Sequence, residues 1–210
     1  LPKVITLLMK KAFFINGGAG RVLCALPALE FYKQNTDPDV VIVSEAWQEL
    51  FFASPIIRNN VWPAGHKGLF QEKLKDKELV SPEPYRLNAY FNQKVNLVQA
   101  FDILINGHQE IPEPKKFNLE INKVDQVYGH NLVNQVKAQF GKAKAVVFQP
   151  FGAGVVKEGN FIIDPSGRSF ELRDVFRTVE ELGKHYAVIV MANIEVPTNK
   201  QMPAAMPTAN

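Results

Sequence analysis

Residues Lys11 to Leu29 read KAFFINGGAGRVLCALPAL, an apolar run followed by glycines and then by a periodic apolar segment. The run from Lys11 to Asn16 predicts a buried strand, because it is continuously apolar. The glycines of Gly17-Gly-Ala-Gly20 end that strand, and residues 21 to about 34 predict a helix. Pro27 lies inside the helix and predicts a kink or a restart, since proline has no N–H to donate.

The same order of elements recurs later in the chain. A second strand is predicted at Val40 to Val43. The order strand, helix, strand is repeated by a strand at Ala145 to Phe148, a helix that ends at Gly183 and a strand at Ala187 to Met191. Continuously apolar strands that alternate with helices are typical of parallel sheets covered on both faces. We therefore predict an α/β fold, in which a Rossmann-like parallel-sheet domain precedes an incomplete second Rossmann-like domain. The predicted parts are an N-terminal extension at 1–10, a first domain at 11–141, the start of a second domain at 142–196, and a tail or remnant of that domain at 197–210.

Composition narrows the class of protein. The chain has 210 residues, 46% hydrophobic and 21% charged, so it can bury a sizeable core. The formal charge of +3 is spread along the chain, which argues against a nucleic-acid partner. Cys24 is the single cysteine and the histidines lack metal-ligand spacing, so neither a disulfide nor a metal site is expected. The apolar runs fall far short of the roughly 20 residues that span a bilayer. We expect no transmembrane segment and a cytoplasmic location.

The glycine turn is the first candidate binding site. Gly17, Gly18 and Gly20 let a ligand approach the backbone closely, and Arg21 opens a helix whose free N–H groups suit a phosphate or a sugar hydroxyl. The spacing matches neither the dinucleotide fingerprint nor the P-loop, which needs Gly-Lys-Ser/Thr. The alternative is a tight turn between strand and helix that binds nothing.

A second candidate site follows the strand at 145–148. The segment Gln149-Pro-Phe-Gly-Ala-Gly154 leaves the carboxyl end of that strand, where open α/β sheets bind ligands. Ser169 is expected to cap the next helix. The guanidinium of Arg168 would then lie beside the N-terminus of that helix, which would suit a pyrophosphate. The predicted substrate-binding residues are Gln149, Phe151, Gly152, Arg168 and Ser169. The alternative is a surface arginine near a capped helix.

The glycine turn and first helix resemble the opening motif of the ADP-heptose:lipopolysaccharide heptosyltransferases, through the residues Gly20-Arg-Val-Leu-Cys-Ala-Leu-Pro-Ala-Leu29. The resemblance covers residues 11–193, including Val146 to Gly152 and Arg168 to Phe170. It implies a GT-B fold, with the first domain on the acceptor side and the second binding the nucleotide sugar. It also implies inverting transfer from a nucleotide-diphosphate sugar to a carbohydrate or glycolipid acceptor, without metal or cofactor.

One position departs from that motif. Arg21 stands where the family has the aspartate proposed as catalytic base, and a guanidinium stays protonated near neutral pH. No residue is therefore assigned as the base. The candidate carboxylates are Asp102 and Glu45, and Glu110 and Glu113 are two further candidates. The alternative function is a non-catalytic nucleotide- or carbohydrate-binding relative.

Arg21 and Arg168 share a sequence context, since each follows a glycine and comes after a predicted sheet strand, where a helix is expected to open. In the GT-B arrangement that the resemblance implies, both would point into one crevice. Two guanidiniums there would repel each other unless an anion lay between them. We therefore expect both arginines to bind one pyrophosphate.

Overall fold

The structure is a computed structural model that describes residues 10–108, 116, 118–152, 154–159, 161–192 and 194. The chain divides into two units, residues 1–122 and 123–210, and each is described by itself. The predicted boundary at 141/142 lies one helix further along the chain. The predicted extension, apart from Lys10, and the predicted tail at 197–210 lie outside the described residues, as do Glu110 and Glu113.

The first unit contains a parallel sheet of four strands in the order β3-β2-β1-β4. The strands are β1 (Lys10–Ile15), β2 (Val41–Ser44), β3 (Val61–Pro63) and β4 (Lys77–Val80). Phe13 of β1 is in register with Ile42 of β2, and every pairing in this sheet is parallel. The parallel pairing predicted for the first two strands is confirmed, and the sheet is compatible with a Rossmann-like domain.

One face of this sheet is covered by two helices, α1 (Ala19–Asn35) and α4 (Leu97–Asn106). Their apolar faces and the sheet form one core, whose fully buried side chains include Phe13, Leu26 and Phe101. Helix α1 continues through Pro27 as a single element, so the predicted restart is wrong. Pro27 is itself buried, and packing in this core compensates for the backbone hydrogen bond that proline removes.

The opposite face is covered more thinly. A π-helical turn at Phe70–Leu74 lies over it, and Leu69 and Leu74 pack with Ala12, Val41 and Trp62. The described strands β1 and β2 are consequently apolar on both faces, as the continuous apolar runs predict.

The segment after β4 has apolar residues at helical spacing from Leu87 to Ile105, but it does not form one helix. It forms a 3-10 turn at Pro84–Arg86, helix α3 (Asn88–Phe91) and then α4. Gln93 has a φ of 58°, and Asn96 begins α4 with a capping box that includes Gln99. Left-handed backbone and a new N-cap end one helix and start another. Earlier in the chain, helix α2 (Gln48–Phe52) lies between β2 and β3.

The second unit begins with helix α5 (Lys123–Phe140) and contains a pair of parallel strands, β5 (Ala145–Phe148) and β8 (Ala187–Val190). Between them lie a short antiparallel hairpin and helix α6. The hairpin consists of β6 (Val156–Glu158) and β7 (Phe161–Ile163), and α6 spans Leu172–Gly183. The hairpin occupies part of the segment predicted as a long loop. In the part of the chain that the structure describes, no helix is long and apolar enough to cross a membrane.

Candidate functional site

The strand order of the first unit creates a crevice between β1 and β4. From β1 the chain proceeds outward through β2 and β3, and then returns to add β4 on the other side of β1. Open parallel sheets bind ligands at such a reversal, outside the carboxyl ends of the strands. The segments that leave β1 and β4 there are the glycine turn at 16–20 and the loop at 81–86. We call this place the switch-point site, formed by the glycine turn, Arg21 and Glu83.

The glycine turn leaves the N-terminus of α1 without a side-chain cap. Gly18 is the N-cap residue, and its carbonyl accepts from the N–H groups of Arg21 at 2.9 Å and Val22 at 3.2 Å. Gly17 has a φ of 91°, and a Cβ there would come within 2.9 Å of Arg21 Cδ, so the turn requires glycine at this position. A Cβ on Gly18 or Gly20 would meet nothing within 4 Å. The backbone at these two positions is therefore open to an approaching ligand.

Arg21 spans the crevice and binds Glu83. Its Nη2 lies 3.0 Å from Glu83 Oε1 and its Nη1 lies 3.3 Å from Glu83 Oε2, which is a two-pronged ion pair. Nη2 also donates to the carbonyl of Pro82 at 2.7 Å. The Arg21 side chain is 10% exposed, whereas that of Glu83 is 39% exposed. The guanidinium is thus an internal group, and the carboxylate is the member of the pair that solvent reaches.

Aromatic rings surround the guanidinium and continue into a groove. The Arg21 Cζ atom lies 5.4 Å from the centre of the Tyr85 ring and 5.6 Å from that of Phe101. Tyr85 in turn meets Tyr90 edge to face at 5.7 Å. These tyrosines belong to a groove of about 560 Å³, the aromatic groove, whose lining includes Tyr85, Tyr90, Phe91, Lys94, Asn96 and Gln99. Phe91 is 79% exposed and Tyr85 is 48% exposed, so both offer ring surface to a ligand.

The carboxylates proposed from the sequence lie elsewhere. Asp102 is 2% exposed, accepts from Asn106 Nδ2 at 2.5 Å and lies 3.5 Å from His108 Nε2. Asp102 is therefore a buried residue of α4, and its carboxylate contacts Asn106 and His108. Glu45 is exposed and follows β2, and its backbone N–H donates to the carbonyl of Ile15, the last residue of β1, at 3.4 Å. Arg21 binds neither of these carboxylates but binds Glu83, which the sequence analysis did not propose.

In the second unit, Asp164 organises the segment between β7 and α6 and joins it, through Ser169, to the loop that follows β5. Its carboxylate accepts from the hydroxyls of Ser166 and Ser169, each at 2.6 Å. It also accepts from the backbone N–H groups of Ser166 at 2.9 Å and Arg168 at 3.2 Å. The Ser169 hydroxyl accepts in turn from the Gly152 N–H at 2.9 Å. These hydrogen bonds, those of the serine hydroxyls above all, lower the pKa of Asp164 to about 2.

This network brings together three of the residues predicted for the second site, namely Gly152, Arg168 and Ser169. Ser169 is an internal hydrogen-bonding residue of the loop, and the N-cap of α6 is Glu171, so the predicted cap is wrong. Phe151 is 4% exposed and packs in the core below the loop, while Gln149 is exposed. The Asp164-Pro-Ser-Gly167 sequence is typical of a turn and was the available signal for Asp164.

Within the described residues, no three His, Cys, Asp or Glu side chains gather in a way that could hold a metal ion. No protein-family model, curated protein or solved structure matches this chain. The function must therefore be inferred from the sites themselves.

Proposed function

We propose that this protein is a glycosyltransferase of the heptosyltransferase-like type, which transfers a sugar with inversion from a nucleotide-diphosphate donor. One observation carries the proposal: the open glycine turn of the switch-point site lies beside the aromatic groove. Tyr85 joins the two, because its ring packs over Arg21 and also lines the groove. Sugar rings bind through their apolar faces to aromatic side chains and through their hydroxyls to polar groups. The groove supplies both, with exposed rings at Tyr85 and Phe91 and a cation at Lys94.

In this proposal the aromatic groove holds the carbohydrate acceptor. The nucleotide-sugar donor is assigned to the second unit, where the Gln149 to Ser169 loop leaves the carboxyl end of β5. Support for this assignment comes from the exposed side chain of Arg168, whose backbone N–H donates to the Asp164 carboxylate and is held by it. Arginine forms two-pronged hydrogen bonds with phosphate.

A specific observation favours a second function, a non-catalytic nucleotide- or carbohydrate-binding protein. Arg21 occupies the position at which the related transferases have an acidic residue, and its guanidinium is bound to Glu83 and the Pro82 carbonyl. A protonated arginine takes no proton from an acceptor hydroxyl. If nothing replaces the missing base, the site would bind sugars without transferring them.

Release of nucleoside diphosphate from a panel of ADP-, GDP- and UDP-sugars distinguishes the two functions. The transferase releases the diphosphate from at least one donor, in the presence of water or an added saccharide. Binding without turnover for every donor favours the second function. Absence of both binding and turnover contradicts both.

The aromatic groove is tested separately with Phe91→Ala. We expect this change to weaken saccharide binding about 2- to 13-fold, which corresponds to roughly 0.5–1.5 kcal/mol for one aromatic contact. Phe70→Ala is the matched control, since Phe70 is also strongly exposed at 62% but lies outside the groove, on the π-helical turn. Equal binding by the two variants would remove the groove from the proposal.

A further inference from the structure

We infer that Glu83 is the general base of the proposed transfer and that Arg21 holds it in position. The inference rests on the proposed function and adds the proton acceptor that the sequence leaves unassigned. In the transfer, the acceptor O–H bond breaks and its proton passes to the Glu83 carboxylate. The acceptor oxygen forms the bond to the anomeric carbon as the bond from that carbon to the diphosphate oxygen breaks. The electron pair leaves on the nucleoside diphosphate, so the step is balanced.

Location is the first argument. Glu83 follows β4, and Arg21 reaches it from α1 across the crevice between β1 and β4. This is the edge of a parallel sheet at which substrates bind. Asp102 is buried, and Glu45 follows β2, which pairs with β1 on the side opposite to β4.

The second argument is orientation. Each carboxylate oxygen of Glu83 accepts one hydrogen bond from the Arg21 fork, at 3.0 and 3.3 Å. A carboxylate has about four lone-pair positions, so the fork leaves further positions on both oxygens for an incoming hydroxyl. Because 39% of the side chain is exposed, a substrate can reach those positions.

The third argument is rigidity. Glu83 lies between two buried prolines, Pro82 and Pro84, which restrict the backbone on either side. The Glu83 carbonyl accepts from the Arg86 N–H at 3.0 Å, which closes a 3-10 turn directly after it. A general base must stay within hydrogen-bond reach of the proton that it takes, and a fixed carboxylate meets that requirement better than a mobile one.

The aromatic groove supplies the fourth argument. Tyr85 is two residues beyond Glu83, and its ring both packs over Arg21 and lines the groove. A saccharide that stacks on Tyr85 would therefore contact the same ring that packs over Arg21, the residue that holds Glu83. In inverting enzymes that act on glycosidic bonds, a carboxylate activates the incoming hydroxyl or water in this way.

The test compares the unaltered protein with Glu83→Gln, Glu83→Asp and the control Glu49→Gln, in which an exposed carboxylate of α2 is neutralised. Nucleoside diphosphate release is measured with the same panel of ADP-, GDP- and UDP-sugars, with water as the acceptor, and donor binding is measured by calorimetry. We expect Glu83→Gln to lower turnover by about 10²–10⁴-fold, the contribution of general base catalysis. Donor affinity should stay within about twofold. Glu83→Asp keeps a carboxylate and should retain more activity than Glu83→Gln.

A neutral pair separates a base from a merely structural partner. Arg21→Met combined with Glu83→Gln removes both charges of the ion pair and places no carboxylate at position 21, where the resembled family has its base. If Glu83 only neutralises Arg21, the neutral pair should recover both folding and turnover. If Glu83 is the base, folding recovers and turnover stays at the level of Glu83→Gln.

The outcomes are distinguishable. Turnover by Glu83→Gln within threefold of the unaltered protein, or full activity of the neutral pair, overturns the assignment of Glu83 and leaves the proposed function intact. Failure of the unaltered protein to turn over any donor overturns the proposed function, and the base with it. If Glu83→Gln does not fold, the comparison of Glu83→Asp with the neutral pair, in which no charge is left without its partner, decides the assignment.

Discussion

The guanidinium of Arg21 lies across the carboxyl edge of the first sheet and binds both carboxylate oxygens of Glu83, 62 residues along the chain. Arg21 follows β1 and Glu83 follows β4. These strands are neighbours only because β4 returns to pair with β1. The ion pair therefore joins the glycine turn to the loop after β4. It also explains how an arginine is accommodated at a nearly buried position at the start of α1.

Replacement of Arg21 should destabilise the first unit. Arg21→Leu removes three hydrogen bonds, two of them to a charged group, and we expect a loss of about 1.5–3 kcal/mol in the free energy of unfolding. The loss should lie near the lower end, because Glu83 is partly exposed and water replaces part of the interaction. Arg58→Leu is the matched control. Its pair with Glu120 is exposed on both sides and should contribute about 0–1 kcal/mol. Chemical denaturation of both variants measures the difference, and equal losses would contradict the internal role of Arg21.

The glycine turn yields a prediction with opposite signs at two positions. Gly17→Ala should cost about 1–3 kcal/mol, because alanine is strained at a φ of 91° and its Cβ would contact Arg21 Cδ. Gly20→Ala should stabilise the protein by up to about 1 kcal/mol, since Gly20 lies in α1 with open space around it. Thermal melting compares the two. If Gly20→Ala is more stable and also binds saccharide less well, then the ligand requires this glycine and the fold does not. A destabilised Gly20→Ala would show that the space around this position is filled in solution.

Local signals were sufficient to predict the first part of the fold. The continuous apolar runs of β1 and β2 and the glycine turn between β1 and α1 are read from neighbouring residues, and the structure confirms the parallel pairing. Strand β4 was missed because its sequence, Lys77-Glu-Leu-Val80, mixes charged and apolar residues, as an edge strand does. Its pairing with β1 joins residues far apart in the chain, which no local pattern reveals.

The site was predictable to the same extent. Sequence analysis identified the glycine turn and Arg21, but Glu83 is recognised only when β4 is placed beside β1. The start of α4 was readable in principle, because Asn96 and Gln99 have the spacing of a capping box. Helical periodicity on both sides of that break concealed it.

A buried carboxylate in the first unit should make stability depend on pH. Glu30 is 4% exposed, and burial raises its pKa, although hydrogen bonds from the Ser54 hydroxyl and the Asn118 backbone oppose the shift. The folded protein therefore holds this proton more tightly than the unfolded chain, so stability falls as pH rises through the pKa of the folded form. Glu30→Gln should be more stable than the unaltered protein at pH 8, and the gain should shrink at pH 4.

The gain should be a fraction of the about 1–3 kcal/mol that an unsatisfied buried polar group costs, because Ser54 Oγ donates to Glu30 Oε1 at 2.6 Å. Ser54→Ala is the companion variant and should be destabilising, since it removes that donor. Unfolding by urea at the two pH values measures both effects. If Glu30→Gln instead loses the same stability at pH 4 and at pH 8, then burial does not raise the pKa of Glu30 in the folded protein.

The loop of the second unit should lose its organisation in acid. Hydrogen bonds from Ser166 and Ser169 lower the pKa of Asp164 from an ordinary value of 3.8 to about 2. The unfolded chain therefore takes up this proton at a higher pH than the folded one, so the contribution of Asp164 to stability is complete above about pH 4 and is lost as pH falls towards 2. The ¹³C resonance of the Asp164 carboxyl should titrate near pH 2. In Asp164→Asn the amide resonances of Gly152 and Arg168 should shift at neutral pH and lose their acid transition. Titration of Asp164 near pH 4 would mean that the serine hydroxyls and backbone N–H groups do not converge on it in solution, and Arg168 would then have no fixed loop to hold it.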